Sequence, residues 1–135
     1  MRPCAGLTVV EVAVGTSELG LGLAGGVPGM LLADLGADVT RVVGAARPGI
    51  DRDLTWSQAW HRDKRLVETD DAAEIQRLVA EADVALVYGP EALVEGCGLG
   101  ARDLLAAHPT LVHARCRPSR TATGEVDDFG LLVEA

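Results

Sequence analysis

Apolar and polar residues follow two different periods along this chain, and together they predict an α/β fold. Short runs rich in Val and Leu are typical of strands buried in a parallel sheet, whereas an apolar residue at every third or fourth position indicates a helix. The predicted strands are Leu7–Val14, Asp38–Val43, Leu66–Thr69, Asp83–Tyr88 and Leu111–Cys116. Because strands and helices alternate, we expect a doubly wound, mainly parallel sheet with the third strand at an edge.

Helices are predicted in most of the intervals between these strands. The clearest one begins after Asp70 or Asp71, either of which is a favourable N-cap, and it carries Ile75, Leu78 and Val79 on one face. The other predicted helices are Val27–Leu35, Leu54–His61, Glu91–Glu95, Ala101–Ala107 and Val126–Ala135, with loops at Gly44–Asp53 and Pro118–Gly124 and a polar turn at Arg62–Arg65.

A glycine-rich stretch between the first two strands is the main local signal of a ligand site. We predict a loop over Gly15–Gly26 and then a helix, in which Pro28 is acceptable only in the first turn. Strand, loop, helix and strand form a βαβ unit whose glycines occupy the position where phosphate groups are commonly bound. A plain tight connection between strand and helix is the alternative interpretation of these glycines.

A nicotinamide dinucleotide is one candidate ligand for this loop. Gly20, Gly22 and Gly25 have the GxGxxG spacing, but the preceding strand ends several residues too early. The second strand ends in Val43 and Gly44, without the acidic residue that binds the ribose in such proteins. The pattern therefore disfavours a nucleotide-binding oxidoreductase domain.

Composition limits the class of protein further. The chain has 135 residues, which suits one domain over residues 1–135, and 48% are hydrophobic but only 3% aromatic, so Val, Leu and Ala must build the core. The net charge of −8 argues against nucleic acid and anionic membranes as partners. No apolar run reaches the roughly 20 residues that a membrane-spanning helix needs, and the N-terminus lacks a signal-peptide pattern.

The cysteines and the chain end add two expectations. Cys4, Cys97 and Cys116 are odd in number and widely spaced, and the histidines show no metal-ligand spacing, so we expect no disulfide, no metal and a cytoplasmic location. The last predicted helix, Val126–Ala135, is apolar and unfinished. We therefore expect a domain that is incomplete at its C-terminus and belongs to a longer polypeptide.

Three segments, in this order, carry a resemblance to a known family. They are MLLADLGADVTRVV, RLVAEADVALV and GLGARDLLAAHPTLVHA, with a D-K-R turn between the first two. Over about Leu7–Val112 the chain resembles the N-terminal segment of the family III CoA-transferases, which include formyl-CoA and carnitine-CoA transferases and α-methylacyl-CoA racemases. The resemblance implies a Rossmann-like domain, a smaller second domain, interlocked dimers and CoA thioester substrates.

The resemblance also implies the chemistry, and the chain departs from it at several points. Family transferases use an aspartate nucleophile, and racemases use an acid/base pair. Val43–Gly44 and Tyr88–Pro90 replace two segments that contact CoA in the family, and Phe129 replaces the racemase histidine. The family's catalytic aspartate lies beyond the last residue of this chain, so no catalytic residue is assigned and the chain alone is predicted to be inactive.

Several residues are candidates for binding CoA. The Gly15–Gly26 loop suits the pyrophosphate or pantetheine, and basic side chains suit the phosphates. Half of the chain's 12 Lys and Arg residues lie between Arg41 and Arg65, where pairing with Asp51, Asp53 and Asp63 in a solvated loop is the alternative. The predicted cofactor-binding residues are Gly15, Thr16, Gly25, Arg47, Lys64, Arg65 and Tyr88.

Two functional hypotheses of different classes remain besides the dinucleotide one. The first is a CoA-binding segment of a family III CoA-transferase-like protein, which transfers CoA from an acyl-CoA to a carboxylic acid. The second is a degenerate, non-catalytic domain that serves dimerisation or regulation, and the change at Tyr88–Pro90 favours it. The expected partners are acyl-CoA or CoA, and either further copies of the chain or the rest of a longer polypeptide.

Overall fold

The computed structural model of the chain describes residues 2–15, 21–44 and 57–116, together with residues 120–121 and 124–125. Its centre is a sheet of five parallel strands in the order β3-β2-β1-β4-β5. The strands are β1 (Thr8–Ala13), β2 (Asp38–Val43), β3 (Lys64–Glu68), β4 (Val84–Tyr88) and β5 (Val112–Cys116). The predicted α/β fold with a mainly parallel sheet and the third strand at an edge is thus confirmed.

Helices pack on both faces of this sheet. They are α1 (Leu21–Asp34), α2 (Ser57–Trp60), α3 (Ala72–Ala80), α4 (Glu91–Gly96) and α5 (Ala101–Ala107). Asp71 is the N-cap of α3, because its carboxylate accepts a hydrogen bond of 2.9 Å from the backbone N–H of Ala73. Two short antiparallel strands, β6 (Arg120–Thr121) and β7 (Gly124–Glu125), lie in the segment predicted as a loop.

Side chains of the strands alternate between two hydrophobic layers, as a period of two requires. On one face, Val9, Val39 and Leu86 pack with Ala33 of α1. On the other face, residues of β1, β2 and β4 pack with α3, α4 and α5 in the cluster formed by Val10, Val12, Val42, Ile75, Leu78, Val79, Ala85, Val87, Val94, Leu99, Leu104 and Leu111. The sheet is therefore doubly wound, and aliphatic side chains build most of its core.

The glycine-rich loop is shorter than the sequence predicts. Helix α1 begins at Leu21 and not at Val27, so Gly22, Gly25 and Gly26 are helical. Pro28 consequently lies in the middle of the helix and not in its first turn. Propensity argues for a loop at these positions, but contacts with the sheet override this weak preference.

Strand β3 also begins earlier than predicted. The predicted polar turn Arg62–Arg65 overlaps with it, because Lys64 pairs with Val39 of β2 and Arg65 with Thr40. Polar side chains do not prevent pairing when an adjacent strand offers its backbone groups at the correct spacing. The predicted helix Val126–Ala135 lies outside the described residues.

Candidate functional site

The carboxyl ends of β1 and β4 meet where the strand order reverses. In an open parallel sheet this switch point is the usual position of a ligand crevice. Gly15 and Gly89 follow the two strands with φ angles of +59° and +135°. A Cβ atom at Gly89 would collide with the carbonyl oxygen of Val14, and one at Gly15 would collide with the side chain of Leu93. The backbone at this edge therefore requires glycine at position 89 and favours it at position 15.

Hydrogen bonds hold the two strand ends together. The backbone N–H of Val14 donates to the carbonyl oxygen of Tyr88 over 2.9 Å. Arg115 of β5 donates through Nη2 to the carbonyl oxygen of Gly89 over 3.0 Å, and its Nη1 lies 3.6 Å from the Glu91 carboxylate. The connection from β4 to α4 is thus fixed to both neighbouring strands.

Four polar side chains form a buried cluster beneath α1, which we call the Glu11 cluster: Glu11, Arg41, Lys64 and Tyr88. Lys64 Nζ lies 2.8 Å from Glu11 Oε2, and Arg41 Nη1 lies 3.6 Å from Glu11 Oε1, with all three side chains fully buried. The Tyr88 hydroxyl donates to Glu11 Oε1 over 3.4 Å. Buried charges persist only where they are paired in this manner.

The Glu11 cluster makes one contact with helix α1 and a further contact between two of its own members. Lys64 Nζ also donates to the carbonyl oxygen of Gly26 in α1 over 2.7 Å. The Arg41 guanidinium lies 5.7 Å from the centre of the Tyr88 ring, within cation–π range. Burial, together with the Glu11 charge, raises the pKa of Tyr88, and the same two causes raise the pKa of the Cys116 thiol.

Lys64 and Arg65, the predicted pair of phosphate ligands, point to opposite faces of the sheet. The Lys64 side chain enters the core beneath α1. Arg65 lies on the other face, where Nη2 donates to the Thr40 hydroxyl over 2.9 Å and Nε over 3.2 Å. Because adjacent residues of a strand alternate in direction, the two cations cannot approach one phosphate together in this conformation.

Arg62 joins α1 to α2. It binds Asp34 through two nitrogens, with Nε at 3.1 Å from Oδ1 and Nη2 at 2.5 Å from Oδ2. Its Nη1 donates to the carbonyl oxygen of Ala59 over 2.8 Å. The hydrogen bond with Asp34 raises the pKa of Arg62. Asp34, one of the residues that carry the family resemblance, therefore has an internal partner.

The structure describes only some of the remaining predicted site residues, and those lie in different parts of the domain. Gly15 lies at the switch point, whereas the Tyr88 side chain is turned into the core. Gly25 lies in α1, and Thr16 and Arg47 are outside the described residues. Sequence reasoning missed Glu11, although a lone carboxylate inside an apolar strand was a visible signal that a cation must lie opposite it.

A separate groove of about 470 Å³ lies beside β5. Glu91, Glu95, Arg102, His113 and Arg115 line it, so both signs of charge face the same space. His113 is hydrogen-bonded to the carbonyl oxygen of Leu99 at 3.2 Å, so its half-buried ring has a partner within the domain. This groove does not coincide with the switch point.

The His, Cys, Asp and Glu side chains of the described residues form no group that could hold a metal ion. None of the described helices is both long and apolar enough to cross a membrane.

Fold and site together define an open, doubly wound α/β protein of the Rossmann-like type, with a crevice position between β1 and β4. The model of the CoA-transferase family III matches residues 5–118. The chain belongs to this family. No curated protein matched the sequence.

Solved structures agree with this assignment. The hypothetical protein Rv3272 from Mycobacterium tuberculosis is 29% identical with a TM-score of 0.69, covering 84% of this chain and 33% of its own. Its orthorhombic form gives 26% identity and a TM-score of 0.72 over 93% of this chain and 37% of its own. A CAIB/BAIF family protein from Brucella suis is 28% identical with a TM-score of 0.65, covering 84% and 33%. The chain thus spans about a third of these proteins.

Proposed function

We propose that this chain is the CoA-binding segment of a family III CoA-transferase, an enzyme that transfers CoA from an acyl-CoA to a carboxylic acid. The observation that carries the proposal is the glycine-lined edge at Gly15 and Gly89, at the switch point of a sheet that belongs to this family. Glycine at both positions lets the carboxyl ends of β1 and β4 and the side chain of Leu93 pack closely together, which shapes the edge where we place the ligand.

We assign two kinds of role to the candidate residues. Gly15, Thr16, Gly25 and Arg47 are proposed to contact CoA, with Arg47 paired to a phosphate. The other three candidates have partners within the domain: Lys64 and Tyr88 contact Glu11 in the core, and the exposed Arg65 contacts Thr40. We propose that Lys64 and Tyr88 support the site from within. No residue of this chain is assigned as nucleophile.

The rest of the proposal concerns the whole protein. Residues 1–135 form one domain that works with further polypeptide or further copies of the chain, and the protein is cytoplasmic. The acyl transfer itself requires a nucleophilic carboxylate, to which we assign no residue of this chain. Its contribution is to bind and orient the CoA part of the thioester, which is a substrate and not a resident cofactor.

Titration calorimetry with CoA, acetyl-CoA and NAD tests this function. We expect CoA and acetyl-CoA to bind and NAD not to bind. Arg47→Gln should weaken CoA binding by about tenfold or more, because a hydrogen bond to a charged phosphate is lost. Arg102→Gln, on the exposed surface of α5, is the matched control and should leave binding unchanged. The absence of binding heat with both CoA and acetyl-CoA at millimolar concentration would contradict the proposal.

A second function, a non-catalytic domain for dimerisation or regulation, is favoured by one observation. The side chain of Tyr88 is fully buried and offers no polar group to the crevice, where the family has a segment that contacts CoA. Analytical ultracentrifugation distinguishes the two functions when it is combined with the titration. Self-association without CoA binding would support the second function. CoA binding by the wild-type protein would show that dimerisation or regulation is not the only role of the domain.

A further inference from the structure

The N-terminal half of α1, Leu21–Val27, is a weak helix by its own sequence. It contains Gly22, Gly25 and Gly26, and glycine is among the poorest helix-forming residues. Pro28 follows directly and has no backbone N–H, so the carbonyl group four residues earlier loses its helical donor. This segment therefore depends on contacts outside the helix.

The Lys64 ammonium group makes such a contact. It lies 2.8 Å from the Glu11 carboxylate on β1 and 2.7 Å from the carbonyl oxygen of Gly26 on α1. The side chain is fully buried, so water does not compete for these hydrogen bonds. One cation thus links β3, β1 and the weak half of the helix.

This half of α1 leads to the proposed ligand edge. In a βαβ unit the helix starts near the carboxyl ends of the strands, and α1 is the helix that follows β1 and Gly15. We propose that Lys64 is a positioning residue: it holds Leu21–Val27 helical against the sheet and thereby fixes the ligand edge, without contacting CoA. The part that concerns CoA rests on the proposed function.

Three variants separate this role from direct binding. Lys64→Met removes the cation and keeps an unbranched apolar chain. Gly26→Ala raises the helix propensity, and the structure admits the new methyl group, since its nearest neighbour would be Trp60 Cβ at 3.6 Å. The double variant tests whether a stronger helix replaces the lost contact. Arg65→Met, on the opposite face of β3, is the matched control.

Amide hydrogen exchange gives the first readout. In Lys64→Met, exchange in Leu21–Val27 should become about tenfold faster or more, because this segment opens locally, whereas exchange in β4 should change much less. In the double variant, Gly26→Ala should recover part of the protection in Leu21–Val27, because the gain in helix propensity offsets only part of the lost contact. Arg65→Met should leave the protection unchanged. Unchanged exchange in Lys64→Met would overturn the proposal. If Lys64→Met does not fold, the double variant is compared with the Gly26→Ala variant. These two proteins differ only at position 64.

CoA affinity gives the second readout. A positioning role predicts that Lys64→Met weakens CoA binding and that, in the double variant, Gly26→Ala recovers affinity in step with the protection of the helix. If Gly26→Ala recovers protection but no affinity, Lys64 contacts the ligand directly and the positioning role is wrong. If the wild-type protein binds no CoA, the proposed function fails, and the exchange experiment still decides whether Lys64 holds α1.

Discussion

Glu11 is the residue on which the buried polar groups converge. Its carboxylate contacts the side chains of Lys64, Arg41 and Tyr88. Glu11 and these three partners are all buried from solvent. Removing the Glu11 carboxylate takes the counter-charge away from two buried cations, which is more costly than the loss of a surface pair. We therefore expect substitutions in the Glu11 cluster to affect stability more than those of exposed charges.

Gly29 is required by the same carboxylate. A Cβ atom at this position would lie 2.7 Å from Glu11 Oε1 and 2.8 Å from Cδ. Because its partners hold Glu11 in place, the carboxylate cannot withdraw without breaking these contacts. Gly29→Ala should lower the free energy of unfolding by about 1–3 kcal/mol, as overpacking does in buried positions. Urea denaturation measures this change.

Gly26→Ala is the control for that prediction, since it adds the same methyl group to the same helix. Its new Cβ would meet only an ordinary contact at 3.6 Å. Helix propensity then predicts a gain of up to about 1 kcal/mol in the free energy of unfolding. Equal destabilisation by both substitutions would show that Glu11 does not fill the space beside Gly29.

At the scale of elements, β1 and β4 were predictable because their pattern is local. Each is a short β-branched run, and the structure places them within one residue of the predicted bounds. The start of α1 and the start of β3 were not predictable in this way. A glycine-rich segment becomes helical, and a polar segment becomes a strand, through partners distant in sequence: the Lys64 contact for α1 and the backbone of β2 for β3.

Gly89 controls how β4 ends against β1. Its φ of +135° is unfavourable for other residues, and a side chain would collide with the carbonyl oxygen of Val14. Gly89→Ala should lower the free energy of unfolding by at least about 1–3 kcal/mol, the usual cost of such backbone strain. Thermal or urea unfolding gives the measurement.

Gly96, at the end of α4, is the matched control for Gly89. It has no positive φ, and nothing lies within 4 Å of its Cβ position. Gly96→Ala should change the stability by about 0.5 kcal/mol or less. A similar loss in both variants would indicate that the geometry at the end of β4 is not what requires glycine.

At the scale of the whole molecule, the sequence predicts the class of fold but not the arrangement of its site. The alternation of strand-like and helix-like hydrophobic periods predicts an α/β sheet, and the resemblance in sequence predicts the family. The pairing of Lys64 with Glu11 depends on the register of three strands, which no local pattern contains. Basic residues that are close in sequence were predicted to share one site, but in the structure Lys64, Arg65 and Arg62 have three different partners.

Asp83 is expected to add a pH-dependent contribution to the stability of the sheet. Its carboxylate accepts hydrogen bonds from the Thr8 backbone N–H over 2.8 Å and from the Thr8 hydroxyl over 2.6 Å, joining the start of β1 to the start of β4. These bonds lower the pKa of Asp83 in the folded protein. The stabilisation is therefore present above the unfolded pKa of about 3.9 and is lost as the pH falls through the folded value.

Asp83→Asn tests this dependence. At neutral pH the variant should unfold at lower urea concentration than the wild-type protein, and the difference should shrink below about pH 4. Asp38→Asn, on an exposed side chain at the same end of the sheet, should not reproduce this effect. A difference that persists undiminished into acid would contradict the assigned role of the charge.

The burial of Lys64 has a chemical consequence as well. It is the only lysine in the sequence, and its side chain is inaccessible to solvent. The native fold thus withholds the chain's single ε-amine from electrophiles, including the acyl thioesters on which the proposed enzyme acts. Acylation of the Lys64 amine would therefore require that α1 first separates from the sheet, so an acylated molecule would be one in which this separation had occurred.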